Sequence, residues 1–271
     1  MATSTNAGLV LTIVLLANAP ADAQTSPHVS TVVNSASYGT DFSAGSFVSV
    51  FGTGLDQTDF LLCPSSLSTC TSQGQGCTAS TTLFASDGQA NLLLPSWPST
   101  TANLTLATKA ATSCQAVKIA ATAPGIFQMG LDCAMLCYLN RTDSHCACGL
   151  HWLPATNVPG YEVMRGAVTD LQGSIMTEQN PARSGGIYTL WITGYNQTTD
   201  PPVLSAPNYP ETAMTVLYAG PSYIPGLQQI NFKLNVLCFG SPCFTPAPYD
   251  SPLQITQGAF NSNVVYLPVN P

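Results

Sequence analysis

Two stretches far apart in this chain echo each other in pattern. Gly45-Ser46-Phe47-Val48-Ser49-Val50-Phe51-Gly52-Thr53-Gly54-Leu55 returns as Gly185-Gly186-Ile187-Tyr188-Thr189-Leu190-Trp191-Ile192-Thr193-Gly194-Tyr195. Further on, Leu83-Phe84-Ala85 followed by Gln89-Ala90-Asn91-Leu92 returns as Leu217-Tyr218-Ala219 followed by Gln229-Ile230-Asn231-Phe232. Two blocks repeated in the same order imply two copies of one structural unit. Within the first block Phe47, Ser49 and Phe51 face one way and Val48 and Val50 the other, the period-two alternation of a strand. The repeated unit is therefore built from strands.

The rest of the chain fits that reading. In the first copy, residues 24–128, strands are expected at Val29–Val33, Gly45–Phe51, Thr81–Ala85, Ala90–Leu94, Asn103–Ala107 and Ala116–Ala121. Ser86-Asp87-Gly88-Gln89 supplies a hairpin turn between the third and fourth. In the second copy, residues 163–271, strands are expected at Ile187–Thr193, Ala213–Ala219, Gln229–Leu237, Leu253–Thr256 and Asn263–Val269. The Pro-rich stretches around Pro201-Pro202 and Pro246-Ala247-Pro248 fall between strands, where a missing amide donor does no harm. Short strands at regular spacing, with Gly, Pro, Asn and Ser between them, predict an all-β chain of two tandem β-sandwich domains. Residues 129–162, crowded with Cys and His, break the pattern and read as a Cys-rich linker or insertion.

Residues 1–23 read as a signal peptide. Leu9 to Ala17 is apolar but too short to span a bilayer, and Ala21-Asp22-Ala23 offers the small residues that signal peptidase reads. The expected destination is the exterior, the cell surface or a periplasm. Only 7% of the residues are charged, against about 25% in ordinary soluble domains. The chain carries six Lys and Arg against thirteen Asp and Glu, with no basic cluster, so nucleic acid and anionic membranes are poor partners. No later apolar run approaches the length of a membrane span.

Ten cysteines in an exported chain point to disulfides. Cys63, Cys70, Cys77 and Cys114 lie in the first copy and Cys133, Cys137, Cys146 and Cys148 in the connecting segment. Cys238 and Cys243 lie in the second. Each segment holds an even number, so pairing within segments suffices. Cys238 and Cys243 flank Phe239-Gly240-Ser241-Pro242, a turn signal, and form the best-defined pair. Connectivity within each group of four stays open.

The chain resembles a known family at specific residues. Val32-Val33-Asn34-Ser35-Ala36-Ser37-Tyr38 and Ala44-Gly45-Ser46-Phe47-Val48-Ser49-Val50-Phe51-Gly52 look like the opening of a secreted domain common in Acidobacteria of the Solibacter type. Ala123-Pro124-Gly125-Ile126-Phe127 and Asn180-Pro181-Ala182-Arg183-Ser184-Gly185-Gly186 continue the match. So do Thr193-Gly194, Tyr218-Ala219-Gly220 and Gly226-Leu227-Gln228-Gln229-Ile230-Asn231. The resemblance covers most of residues 24–271. It implies paired immunoglobulin-like β-sandwich units, usually at the C-terminal end of large exported proteins, and it implies no activity and no catalytic residues. Two departures from it are expected: a unit that stands almost alone, and a segment from Cys133 to Cys148 without a counterpart.

Reactive chemistry has few candidates. Cys133, Cys137, His145, Cys146, Cys148 and His151 could hold zinc, but the spacing matches no standard site, and an oxidising compartment favours two local disulfides. Redox chemistry through Cys146 and Cys148 lacks a helix N-terminus to lower a thiol pKa. No nucleophile elbow, His-Glu-x-x-His pair or phosphate loop occurs. Asp56 and Asp59 read as a solvated turn, and Asn103, Asn140 and Asn196 as ordinary surface residues that a glycosylating host would treat as sequons. No cofactor is expected, and the chain reads as no enzyme.

Binding suits the chain better. Trp97, Trp152, Tyr195 and Tyr223 lie in or beside expected loops, where aromatic faces could stack on sugars or a protein partner. For each one singly, closing the core at a strand end is the stronger reading. Trp191 stands where Phe51 stands in the other copy, which suggests packing or contact between the copies. The expected role is an extracellular adhesion, binding or structural spacer module whose partner is a protein or a glycan. The alternatives are a metal-binding or redox protein using residues 133–151, and a carbohydrate-binding accessory module or cryptic hydrolase.

Overall fold

The structure is a computed structural model and describes residues 26–64, 76–97, 102–108, 114–128, 164–197, 200–207, 213–235 and 249–270. Among these the chain is all-β, and its helical content is a 3-10 turn at Leu55–Gln57. The first half contains β1 (His28–Asn34), β2 (Asp41–Ser43), β3 (Phe47–Thr53), β4 (Phe60–Pro64), β5 (Thr78–Ala79), β6 (Thr81–Ala85), β7 (Gln89–Leu93), β8 (Ala102–Thr108) and β9 (Cys114–Ala120). They form two sheets, ordered β1-β3-β7-β6 and β2-β9-β8-β4-β5. Val29, Val32, Val48, Val50, Ala90 and Leu92 of the first sheet enclose a common core with Phe42, Phe60, Leu62, Leu104, Leu106, Val117 and Ile119 of the second. Each such large side chain contributes about 1.5–3 kcal/mol on burial.

The second half contains β10 (Gly125–Ile126), β11 (Val168–Asp170), β12 (Ala182–Arg183), β13 (Ile187–Thr193), β14 (Val203–Ser205), β15 (Met214–Pro221), β16 (Gln228–Leu234), β17 (Tyr249–Gln257), β18 (Phe260–Asn261) and β19 (Val265–Asn270). One sheet runs β10-β13-β16-β15 with β11 also on β13; the other runs β12-β19-β17-β14 with β18 on β17. Tyr188, Leu190, Ile192, Ile230 and Phe232 pack against Leu204, Leu253, Ile255, Leu267 and Val269 between them. The order of connections matches the first half. In each half an early strand joins the far sheet by parallel pairing, β2 with β9 and β12 with β19. The remaining strands follow the two-sheet immunoglobulin arrangement.

The repeat persists at single residues. Strands β3 and β13 have the same length and matched ends, between Gly45 (φ 74°) and Gly54 (φ 66°) and between Gly185 (φ 82°) and Gly194 (φ 77°). Ser49 donates to Asn91 Oδ1 and Thr189 to Asn231 Oδ1, both at 3.0 Å. Leu83 and Leu217 are each the extra residue of a bulge in the edge strand, which turns Phe84 and Tyr218 to the outer face beside those asparagines.

Several strands, among them β2, β4, β11, β12 and β14, lie outside the set expected from the sequence. Strand β4 follows an unalternating run, Phe60-Leu61-Leu62, that carries no period-two signal, and it exists because β8 and β5 pair with it on either side. Main-chain pairing within the second sandwich begins before residue 128. Gly125 and Ile126 already pair with Thr193 and Ile192 of β13, and Val168 to Asp170 continue along the same strand. Phe127 and Ala167 both bond to Trp191, through Phe127 N to Trp191 O (3.1 Å) and Trp191 N to Ala167 O (3.0 Å). The chain leaves this strand at Gln128 and returns at Gly166, and those two residues form an antiparallel bridge. Strands β10 and β11 thus lie end to end along one edge of β13. The cysteines and histidines from Cys133 to His151 lie outside the described residues.

The two sandwiches meet in a third apolar cluster of Ala36, Phe47, Phe127, Ala167, Ile224 and Leu227, with Leu93 and Trp191 against it. Phe47 and Phe127 pack edge to face with centroids 6.0 Å apart, a favourable geometry for aromatic pairs. Polar groups seal the junction. The Gly194 carbonyl accepts from Ala123 N (3.0 Å), Ser43 Oγ (3.0 Å) and Thr122 Oγ1 (3.2 Å). Asn196 Nδ2 donates to Ala121 O at 2.8 Å, and the Thr122 hydroxyl also meets the Gln257 side chain. Buried polar groups satisfied in this way hold one orientation firmly.

Candidate functional site

An open cleft of about 690 Å³ lies on the outer face of β11 and β13 in the second sandwich. In β13 the core takes Tyr188, Leu190 and Ile192, and alternation turns Thr189 and Trp191 outward to line the cleft. The Trp191 indole is fixed from below, because its Nε1 donates to Thr169 Oγ1 at 3.2 Å while part of the ring packs on the junction cluster.

One wall is the turn that follows β11. Asp170 Oδ1 accepts the amides of Gln172 (2.9 Å) and Ser174 (2.8 Å), and the backbone closes through Asp170 N to Ser174 O at 2.9 Å. Gly173 takes φ 84° at the tip, a conformation that an L side chain resists. This tight Asx turn presents Leu171 and Gln172 on a stiff rim.

The opposite wall is the loop between β15 and β16. Ser222 N bonds to Leu227 O (2.9 Å) and Ile224 N to Ser222 Oγ (3.0 Å). Ile224 and Leu227 sink into the junction cluster, which leaves Tyr223 outside them at 81% exposure. Two anchors therefore hold an exposed ring at the cleft margin.

The other residues singled out from the sequence lie elsewhere. Tyr195 is 9% exposed and belongs to the core of the second sandwich. Its place after β13 points it inward. Burial raises its phenol above the usual 10.0, and nearby Tyr218 adds to the shift. Trp97 packs against the first core, closing the end of that sandwich. Asn196 is committed to the junction. Trp152 lies outside the described residues.

Cys63 and Cys77 form a disulfide that ties β4 to the chain entering β5, and Cys114 is disulfide-bonded as well. Cys70, Cys238 and Cys243 lie outside the described residues. Among the described residues no group of three or more His, Cys, Asp or Glu could hold a metal ion. No helix among them is long and apolar enough to cross a membrane.

The cleft itself was not foreseen. Its wall carries a legible signal, since Asp170-Leu171-Gln172-Gly173 is an Asp-x-x-Gly turn. Trp191 read as packing because its partner position holds Phe51; it packs and also lines the cleft.

No family model matches the chain, and no curated protein matches it. Among solved structures, domains 5-6 of the S-layer protein SbsC align over 90% of this chain and 98% of theirs, at 12% identity and TM-score 0.28. A surface glycan-binding protein from Prevotella bryantii aligns over 89% of this chain and 41% of its own, at 12% identity and TM-score 0.24. The I9-I11 tandem of titin aligns over 90% and 65%, at 9% identity and TM-score 0.23. At such values no function passes from these proteins to this chain.

Proposed function

We propose that this chain is an exported, non-catalytic module of two tandem immunoglobulin-like β-sandwich domains that attaches to a protein or glycan outside the cell. Kinship with the Solibacter-type secreted domain is part of the same proposal. The observation that carries it is the cleft on the outer face of the second sandwich. There a fixed indole, an exposed Tyr223 and a stiff polar turn converge on a rigid scaffold, the arrangement expected of a preorganised recognition site. The sparse charge and the leader-like first residues support a place at the cell exterior.

The test uses the purified chain, labelled and incubated with bacterial envelope material separated into polysaccharide and surface-protein fractions. Sedimentation reads attachment. The expected result is retention by one fraction, lost in Tyr223→Ala. Equal retention of the variant, or retention by neither fraction, overturns the proposal.

A further inference from the structure

We infer that the cleft between the Asp170–Ser174 turn and Tyr223 is a binding site for an uncharged oligosaccharide. This rests on the reading of the chain as an attachment module and names the chemistry of its partner. The first support is the pairing of surfaces. Trp191 and Tyr223 offer aromatic rings to the cleft, and Leu171, 66% exposed, extends the apolar margin. Sugar rings carry C–H faces that stack on such surfaces, while their hydroxyl edges need hydrogen-bonding groups close by.

Those groups are neutral. Gln172, Ser174, Thr169 and Thr189 line the space together with the rings. Thr169 accepts the indole N–H and so keeps its own hydroxyl hydrogen to offer. Gln172 has both a donor and an acceptor on its amide. Among the described residues no Lys, Arg or His lines the cleft, and the charged residue in its wall is Asp170. An anionic sugar would meet a carboxylate with no cation to offset it, so the geometry selects against uronic acids and sulfated or phosphorylated glycans.

An extended peptide fits less well. Peptides that add to a sheet need free backbone groups along an edge. Here β11, the edge strand beside the cleft, is already covered by residues 174–176. Asp170 N bonds to Ser174 O (2.9 Å), Met176 N to Val168 O (2.8 Å), and Thr169 bridges Ile175. The recognition left to this surface is by side chains, as suits a sugar.

Calorimetric titration of the full chain with neutral gluco-, manno-, xylo- and galacto-oligosaccharides, and with uronate oligomers as the anionic set, tests the assignment. At least one neutral series binds, and Tyr223→Ala and Gln172→Ala each weaken it by about tenfold or more. Circular dichroism and melting curves of both variants match the parent, because both residues lie on the cleft rim. Binding confined to uronates overturns the inference, as does neutral-sugar binding indifferent to both substitutions. If no oligosaccharide binds while Tyr223-dependent attachment to envelope protein persists, the inference falls and the module reading stands. If neither is seen, both fall.

Discussion

Thr193 reaches across the junction to Phe47: its Oγ1 accepts the Phe47 amide hydrogen at 2.9 Å. Thr193 is fully buried and Phe47 is 1% exposed, so water cannot replace either partner. Thr193→Val keeps the shape and leaves the amide without its acceptor. The expected cost is about 1–3 kcal/mol, read as a lower urea midpoint at unchanged slope. A midpoint equal to the parent's would show that the bond adds nothing.

The two matched glycines that follow and precede strand β13 respond differently to a methyl group. Both have positive φ, but a Cβ on Gly185 meets open space, whereas one on Gly194 would lie 2.1 Å from Ala123 O. Gly185→Ala is expected to cost the backbone strain alone, about 1–2 kcal/mol. Gly194→Ala also forces the halves apart and costs clearly more. Parallel denaturant titrations of the two variants give the comparison, and equal losses would contradict it.

The Cys63–Cys77 disulfide spans a sequence separation of 14. Closing a loop of that length removes unfolded-state entropy worth about 3 kcal/mol. The Cys63→Ala/Cys77→Ala double variant is therefore expected to unfold at lower denaturant by that amount. Single variants behave worse, since each leaves a reactive thiol.

Tyr195 gives the fold a dependence on alkaline pH. Its phenol sits above the usual 10.0 through burial first and Tyr218 second. The unfolded chain therefore gives up this proton before the folded one does. The associated stability is fully present below about pH 10 and declines as pH rises through the folded value. Tyr195→Phe is expected to flatten that decline in stability measured against pH, and a profile identical to the parent's would remove Tyr195 as its source.

Much of the scaffold could be read ahead of the structure because its signals are local. Ile187–Thr193 and Thr81–Ala85 have the extents expected of them, the first from the repeat and the second from its flanking turn, and Ser86 to Gln89 makes that turn, with Ser86 N bonded to Gln89 O at 2.7 Å. The match of Ser49 and Asn91 to Thr189 and Asn231 was visible as repeated letters, but its meaning as a cross-strand hydrogen bond was not. Strand β4 escaped because a short apolar run is ambiguous until partners flank it. The cleft escaped for a different reason. Trp191, the 171–175 turn and Tyr223 are separated along the chain and come together through β13 pairing and the junction cluster, neither of which leaves a local pattern.

The bridge between Gln128 and Gly166 pins two ends of one ladder. Gly125 and Ile126 lie on β13 ahead of it and Val168 to Asp170 beyond it, so the two short strands behave as one spliced edge. A substitution that loosens either splice end is therefore felt at Trp191, whose main chain bonds to both Phe127 and Ala167, and through it at the aromatic surface.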